Sequence, residues 1–144
     1  MTHAALVIER RSLVLAAEGA GQSTPRALCA YMIPHMPPTQ LSQDMELDAL
    51  LASDQLLLFK HSPTCPISAQ AFFEYRRFCE AHADVPTLWL HVIEQRPASL
   101  SVAEATGVTH ESPQALWIKD GEVAWHASHG AITLASLAAA TGVG

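Results

Sequence analysis

The segment Thr64-Cys65-Pro66-Ile67-Ser68 concentrates the reactive chemistry of this sequence. An apolar run, Leu56-Leu57-Leu58-Phe59, ends shortly before it and an amphipathic pattern begins within it, which predicts Cys65 at a strand-to-helix junction. At such a junction the unpaired N–H groups of the first helical turn and the positive end of the macrodipole face the sulfur. That setting favours the thiolate, the form that attacks disulfides. Pro66 suits the first helical position, where its missing N–H needs no partner. Ser68 lies three residues on, on the same helical face, and its hydroxyl is expected to donate a hydrogen bond to the sulfur.

A dithiol oxidoreductase would carry a second cysteine where Ser68 stands, and that thiol would resolve a mixed disulfide internally. Of the three cysteines, neither of the other two offers this locally. Cys79 is fourteen residues along the same helical pattern, roughly 21 Å away at ~1.5 Å per residue, and reads as a core thiol beside Phe72 and Phe78. Cys29 lies on an N-terminal arm and reaches Cys65 only if that arm swings.

A second element, Glu111-Ser112-Pro113-Gln114, precedes an expected strand. A cis Ser112–Pro113 bond would leave the preceding backbone free to pair with an extended partner beside Cys65. With cis bonds at only about 5–6% of X–Pro sites, the residues alone favour an ordinary trans turn. His61 and His110 flank the site from two segments, and either tune the sulfur's charge when protonated or complete local hydrogen bonds. His126 and His129 alternate onto opposite faces of a strand end, with no cysteine or carboxylate cluster to complete a four-ligand set, so no metal site is expected.

The elements needed to hold these residues are legible from Gln43 onward. Asp44 caps a short helix whose apolar stripe is Met45, Leu47, Leu50 and Leu51. Gln55–His61 is a strand covered on both faces, broken by Ser62-Pro63-Thr64. A helix over Pro66–His82 follows, with Ile67, Ala71, Tyr75, Phe78 and His82 on its inner stripe. Thr87–Ile93 is a second strand, stopped by Pro97, and Ser99–Thr106 a helix capped by Gly107. Ala115–Lys119 and Glu122–Ser128 form a hairpin across Asp120-Gly121, and Thr133–Ala140 is a closing helix. The first two strands flank a crossover helix and should be parallel. The expected architecture is α/β: a four-stranded mixed sheet flanked by helices, occupying residues 43–144.

Residues 1–42 read as a flexible or loosely attached extension. Pro25, Pro34, Pro37 and Pro38 forbid a long helix there, and translation starting at Met32, Met36 or Met45 is an alternative account of the arm. Arg10-Arg11 precedes an apolar stretch too short for the ~7–15-residue core of a signal segment, so no export is expected. The 144 residues suffice for one ordinary domain, and no apolar run approaches the ~18 residues of a membrane span. Eight basic against 14 acidic side chains give a net charge of −6, which supplies no basic footprint for nucleic acid or an anionic membrane. An odd cysteine count argues against a secreted disulfide framework and for a reducing compartment.

Several stretches together resemble a known family. Phe59-Lys-His-Ser with Thr64-Cys-Pro-Ile-Ser68, His91-Val-Ile-Glu94, His110-Glu-Ser-Pro-Gln114, Ile118-Lys-Asp-Gly121, and Trp125-His-Ala-Ser-His129 before Ile132-Thr133 are similar to the YtxJ-type monothiol bacilliredoxins of the bacillithiol system. These have the thioredoxin fold. The resemblance spans about Gln43 to Leu137. It implies that Cys65 is the redox thiol, with Pro66 and Ser68 as its catalytic neighbours. It also implies that Pro113 is a cis proline facing Cys65, with Thr64 and Ser112 on the substrate-binding side. The implied activity is cytoplasmic removal of bacillithiol from protein mixed disulfides, with the small thiol as co-substrate, no tightly bound cofactor, and mixed-disulfide proteins as partners. The alternative is a non-catalytic thioredoxin-fold module in which the Ser112-Pro113 segment holds a partner's extended strand.

Overall fold

The computed structural model describes residues 38–43 and 45–144. The N-terminal arm with Cys29, Met32 and Met36, and the expected cap Asp44, lie outside the described residues. The elements, in chain order, are β1 (Thr39–Gln40), α1 (Leu47–Leu51), β2 (Gln55–His61), α2 (Pro66–Ala81), β3 (Thr87–His91), α3 (Arg96–Thr106), β4 (Gln114–Lys119), β5 (Glu122–Ser128), a 3-10 turn (His129–Ala131) and α4 (Leu134–Thr141). The sheet runs β1-β3-β2-β4-β5. β1, β3 and β2 are parallel, whereas β4 is antiparallel to β2 and β5 to β4.

The sheet thus has five strands, not four. The additional strand, β1, falls upstream of Gln43 and is held largely by backbone groups, which no side-chain period announces. Leu41 N–H donates to the Trp89 carbonyl (2.7 Å), Trp89 Nε1–H to the Pro38 carbonyl (2.9 Å), and Gln95 Nε2 to the Leu41 carbonyl (2.6 Å).

β2 lies at the centre, and its apolar run divides between two cores because successive side chains point to opposite faces. Leu56 and Leu58 pack with Leu90, Val102, Leu116 and Ile118 on the face covered by α1 and α3. Leu57 and Phe59 pack with Tyr75, Phe78, Trp117 and Leu137 on the face covered by α2 and α4. The buried stripe of α2 is Ser68, Ala71, Tyr75 and Phe78. Ile67, expected on that stripe, is instead 51% exposed, and polar Ser68 takes the inward place in the first turn.

α3 begins at Arg96, three residues ahead of the expected Ser99. Pro97 sits in its first turn, where the missing N–H is harmless, instead of ending a strand. Asp120 and Gly121 both have positive φ (53° and 79°), the backbone of a tight two-residue hairpin turn, as their sequence predicts. Gly107 closes α3 in the left-handed region (φ 70°). α4 is started by a reciprocal cap: Ser136 N–H donates to Thr133 Oγ1 (3.1 Å) and Thr133 N–H to Ser136 Oγ (2.9 Å). Glu74 Oε2 accepts the Leu134 N–H (2.9 Å), which docks α2 on the start of α4.

Candidate functional site

Cys65 occupies the N-cap of α2, in extended conformation (φ −105°, ψ 121°), with Pro66 at the first helical position. Its thiol is free and half-buried. The first intrahelical bond is Ala69 N–H to the Cys65 carbonyl (3.0 Å), which leaves the Ile67 and Ser68 N–H groups unclaimed by the helix. The sulfur therefore sits at the positive end of a 16-residue helix, as expected.

Ser68 is fully buried. Its hydroxyl was expected to serve the Cys65 sulfur, but its hydrogen bonds go elsewhere. Oγ accepts the Ser62 N–H (2.8 Å) and is bonded to His61 Nδ1 (2.9 Å). The pair ties the loop carrying Thr64 and Cys65 to the end of β2. His61 is stacked on Phe72 (centroids 4.4 Å apart), and burial, with His91 nearby, pushes its pKa below the ordinary histidine value. His61 is thus neutral at pH 7 and acts as a hydrogen-bonding brace, not as a cation beside the sulfur. Thr64 is exposed, its hydroxyl 3.5 Å from that of Ser62.

The Ser112–Pro113 peptide is cis. This overturns the trans turn favoured by frequency alone and agrees with what the family resemblance implies. Strand register sets its position. Lys60 pairs with Gln114, and Gln114 with Ser128, so Pro113 stands one residue beyond that pair at the same sheet end as His61 and the Cys65 loop. His129, itself at positive φ (54°), donates its N–H to the Pro113 carbonyl (3.1 Å). The Ser112 hydroxyl is buried with no hydrogen-bond partner among the described residues.

A cleft of about 520 Å³ opens at the same end, lined by Pro66, Ile67, Gln70 and Glu74 of α2 and by His129 and Thr133 across from them. The sequence reading did not find it, because its walls are some sixty residues apart in the chain. The exposure of Ile67 is explained by this cleft, and the unusual backbone of His129 marks its far wall.

Also missed was a buried polar cluster on the other face of β2. Lys60 has none of its surface exposed. Its Nζ donates to the Ser99 carbonyl (2.9 Å) and to His110 Nδ1 (3.3 Å), and Ser99 Oγ lies 3.2 Å from the same nitrogen. An ammonium can only donate, so Nδ1 of His110 is the unprotonated nitrogen. Burial, followed by Lys60 and Arg96, lowers the His110 pKa against a smaller opposing effect of Glu111. His110 is thereby also neutral, and completes hydrogen bonds instead of tuning the sulfur. Burial lowers the Lys60 pKa to about 8.

Cys79 packs half-buried against the α2-side core, and burial raises its thiol pKa, in keeping with the structural role expected of it. Among the described residues no group of three or more His, Cys, Asp or Glu is arranged to hold a metal ion, and no helix is long and apolar enough to cross a membrane.

A mixed sheet of this topology, a half-buried free thiol at a helix N-cap and a cis proline at the same sheet end define a thioredoxin-fold protein with a thiol redox role. The chain belongs to the monothiol bacilliredoxin BrxC family, whose profile matches residues 39–137, beginning at the first residue of β1. A solved protein described as a candidate oxidoreductase with a thioredoxin fold is 35% identical (TM-score 0.66), over 72% of this chain and 93% of that one. The oxidised mitochondrial thioredoxin 3 of Saccharomyces cerevisiae is 20% identical (TM-score 0.52; 74% and 92% covered). The reduced desulfothioredoxin of Desulfovibrio vulgaris Hildenborough is 17% identical (TM-score 0.57; 74% and 98% covered). These last two share the fold.

Proposed function

We propose that this protein is a monothiol oxidoreductase that removes a low-molecular-weight thiol from protein mixed disulfides through Cys65. The observation that carries the reading is Ser68: the place one turn beyond the accessible thiol holds a buried hydroxyl bonded to His61 and Ser62, not a second thiol. A single thiol can take over half of a mixed disulfide but cannot expel it alone. Cys65 thiolate attacks the small thiol's sulfur, forming a Cys65–small-thiol disulfide and releasing the client's thiolate, which takes up a proton. A second molecule of the small thiol, as its thiolate, then attacks that sulfur, freeing Cys65 and leaving as the symmetric small-thiol disulfide.

The Ser112–Pro113 backbone is suited to pair with the client's extended segment beside the sulfur. The cleft beside Pro66 is the place we assign to the small thiol's body, with the side chains of Gln70 and His129 as polar groups along a mainly apolar lining. Bacillithiol is the small thiol to which the family's name points, and such exchange belongs in a reducing cytoplasm.

The test is turnover of a protein loaded with a bacillithiol mixed disulfide, with free bacillithiol as reductant. Cys65→Ser is expected to abolish release, whereas Cys79→Ser stays within about twofold of wild type, as expected of a half-buried thiol whose pKa burial raises. Undiminished release by Cys65→Ser would refute the reading. Stable Cys65–client disulfides without release would favour the binding module instead.

A further inference from the structure

The buried cluster around Lys60 has no part in the exchange steps just described, yet its donors Lys60 Nζ and Gln114 Nε2 both find acceptors outside the sheet, while Gln114 Oε1 finds no partner among the described residues. Lys60 on β2 and Gln114 on β4 are directly paired across the ladder, with side chains on the same face of the sheet. Both reach up to one short stretch of chain. Lys60 Nζ holds His110 through Nδ1 and α3 through the Ser99 carbonyl, while Gln114 Nε2 donates to the Thr109 carbonyl (2.9 Å). Thr109–His110 is therefore fastened to the sheet from beneath, and the strand resumes at Gln114. Only Glu111, Ser112 and Pro113 span the gap, and Pro113 is fastened at its carbonyl by His129.

We propose that Lys60 is a positioning residue of the thiol site: by holding His110 and the first turn of α3 together, it fixes the three-residue span that presents the Ser112–Pro113 backbone to a client. The proposal rests on the reading of Cys65 and Pro113 as the exchange site. A buried ammonium in an apolar setting is costly unless its protons find acceptors, and here one acceptor from α3 and one from the loop that follows it converge on it. Its attachment is to the partner-holding segment and not to the sulfur, so its removal should affect client binding and spare the reactivity of the thiol. The charged and titratable groups around the cluster are His110 itself, Arg96 of α3 and Glu111 of the span.

The experiment compares wild type, Lys60→Met and His110→Ala on three readouts. For mixed-disulfide turnover, KM is expected to rise about tenfold in both variants, the weight of one lost charged hydrogen bond, with kcat within about twofold. Alkylation of Cys65 by iodoacetamide, which needs no client segment, should stay within about twofold of wild type. Backbone order parameters of Thr109–Ser112, which do not depend on turnover, should fall from the rigid range near ~0.85. If Lys60→Met does not fold, His110→Ala, at a partly exposed residue, supplies the same three readouts. Wild-type KM and loop order in the folded variants would overturn the proposal, as would alkylation falling in step with turnover. A wild type that does not turn over the substrate at all refutes the exchange reading instead, and the order parameters then decide whether Lys60 holds the span.

Discussion

Two histidine–serine pairs brace the end of β2, one on each face, and they differ in what they hold. On the α2 face, His61 and Ser68 form a neutral pair that ties down the Thr64–Cys65 loop. On the α3 face, His110 and Ser99 are gathered by the buried cation of Lys60, and the chain they tie down leads to Pro113. Lys60 and His61 are consecutive, so strand alternation alone delivers one to each face. One strand end therefore supports both halves of the site, the sulfur from one side and the partner-holding segment from the other. The uncharged pair lies near the sulfur and the charged group lies on the opposite face, where it acts on backbone position.

The comparison is broken most completely by Ser68→Cys. Cys65 and residue 68 are one turn apart at the start of α2, so the variant places two thiols within reach of each other. After reaction with a mixed disulfide it is expected to resolve internally: the protein loses two hydrogens by intact mass and carries no small-thiol adduct. Accumulation of the adduct in that variant would show that the buried site of Ser68 cannot approach the sulfur.

The α3 side is sharpened by pH. The Lys60 pKa is about 8 in the folded chain against 10.5 ordinarily, so the folded state binds its proton less tightly than the unfolded one. Between those values the unfolded state holds more protons, and stability rises with pH; below about 8 the full penalty is present. The shift corresponds to about 3 kcal/mol, comparable to the ~1.5–3 kcal/mol from burying one of the leucines around it, which is why the core tolerates the charge. Urea unfolding of wild type minus Lys60→Met, followed from about pH 7.5 to about pH 10.5, should show wild type gaining relative stability as pH rises. A flat difference would mean that folding does not lower the Lys60 pKa.

Much of this arrangement was readable from the sequence where local chemistry decides it. The Leu56–Phe59 run marked a strand covered on both sides, Asp120-Gly121 marked the hairpin, and Pro66 after Cys65 marked the start of α2, all as found. What escaped depends on contacts distant in the chain. β1 is two residues held by backbone bonds, and a charged Lys60 closing an apolar run reads as the point where a strand meets solvent. Its partners Ser99 and His110 come from 39 and 50 residues away. The choice between Ile67 and Ser68 for the inward place in α2 was equally hidden, since the polar residue wins only because His61 and the Ser62 N–H wait to bond it. The Pro113 isomer is likewise a matter of tertiary setting, and frequency alone pointed the other way.

The central claim is most directly tested by a single-turnover reaction followed by intact mass. Equal amounts of the reduced protein and a client carrying one bacillithiol are mixed without free thiol and quenched with acid. The account predicts that the client loses the bacillithiol mass while this protein gains it, on a peptide containing Cys65. A client that stays loaded, or an adduct found on Cys79, would contradict it.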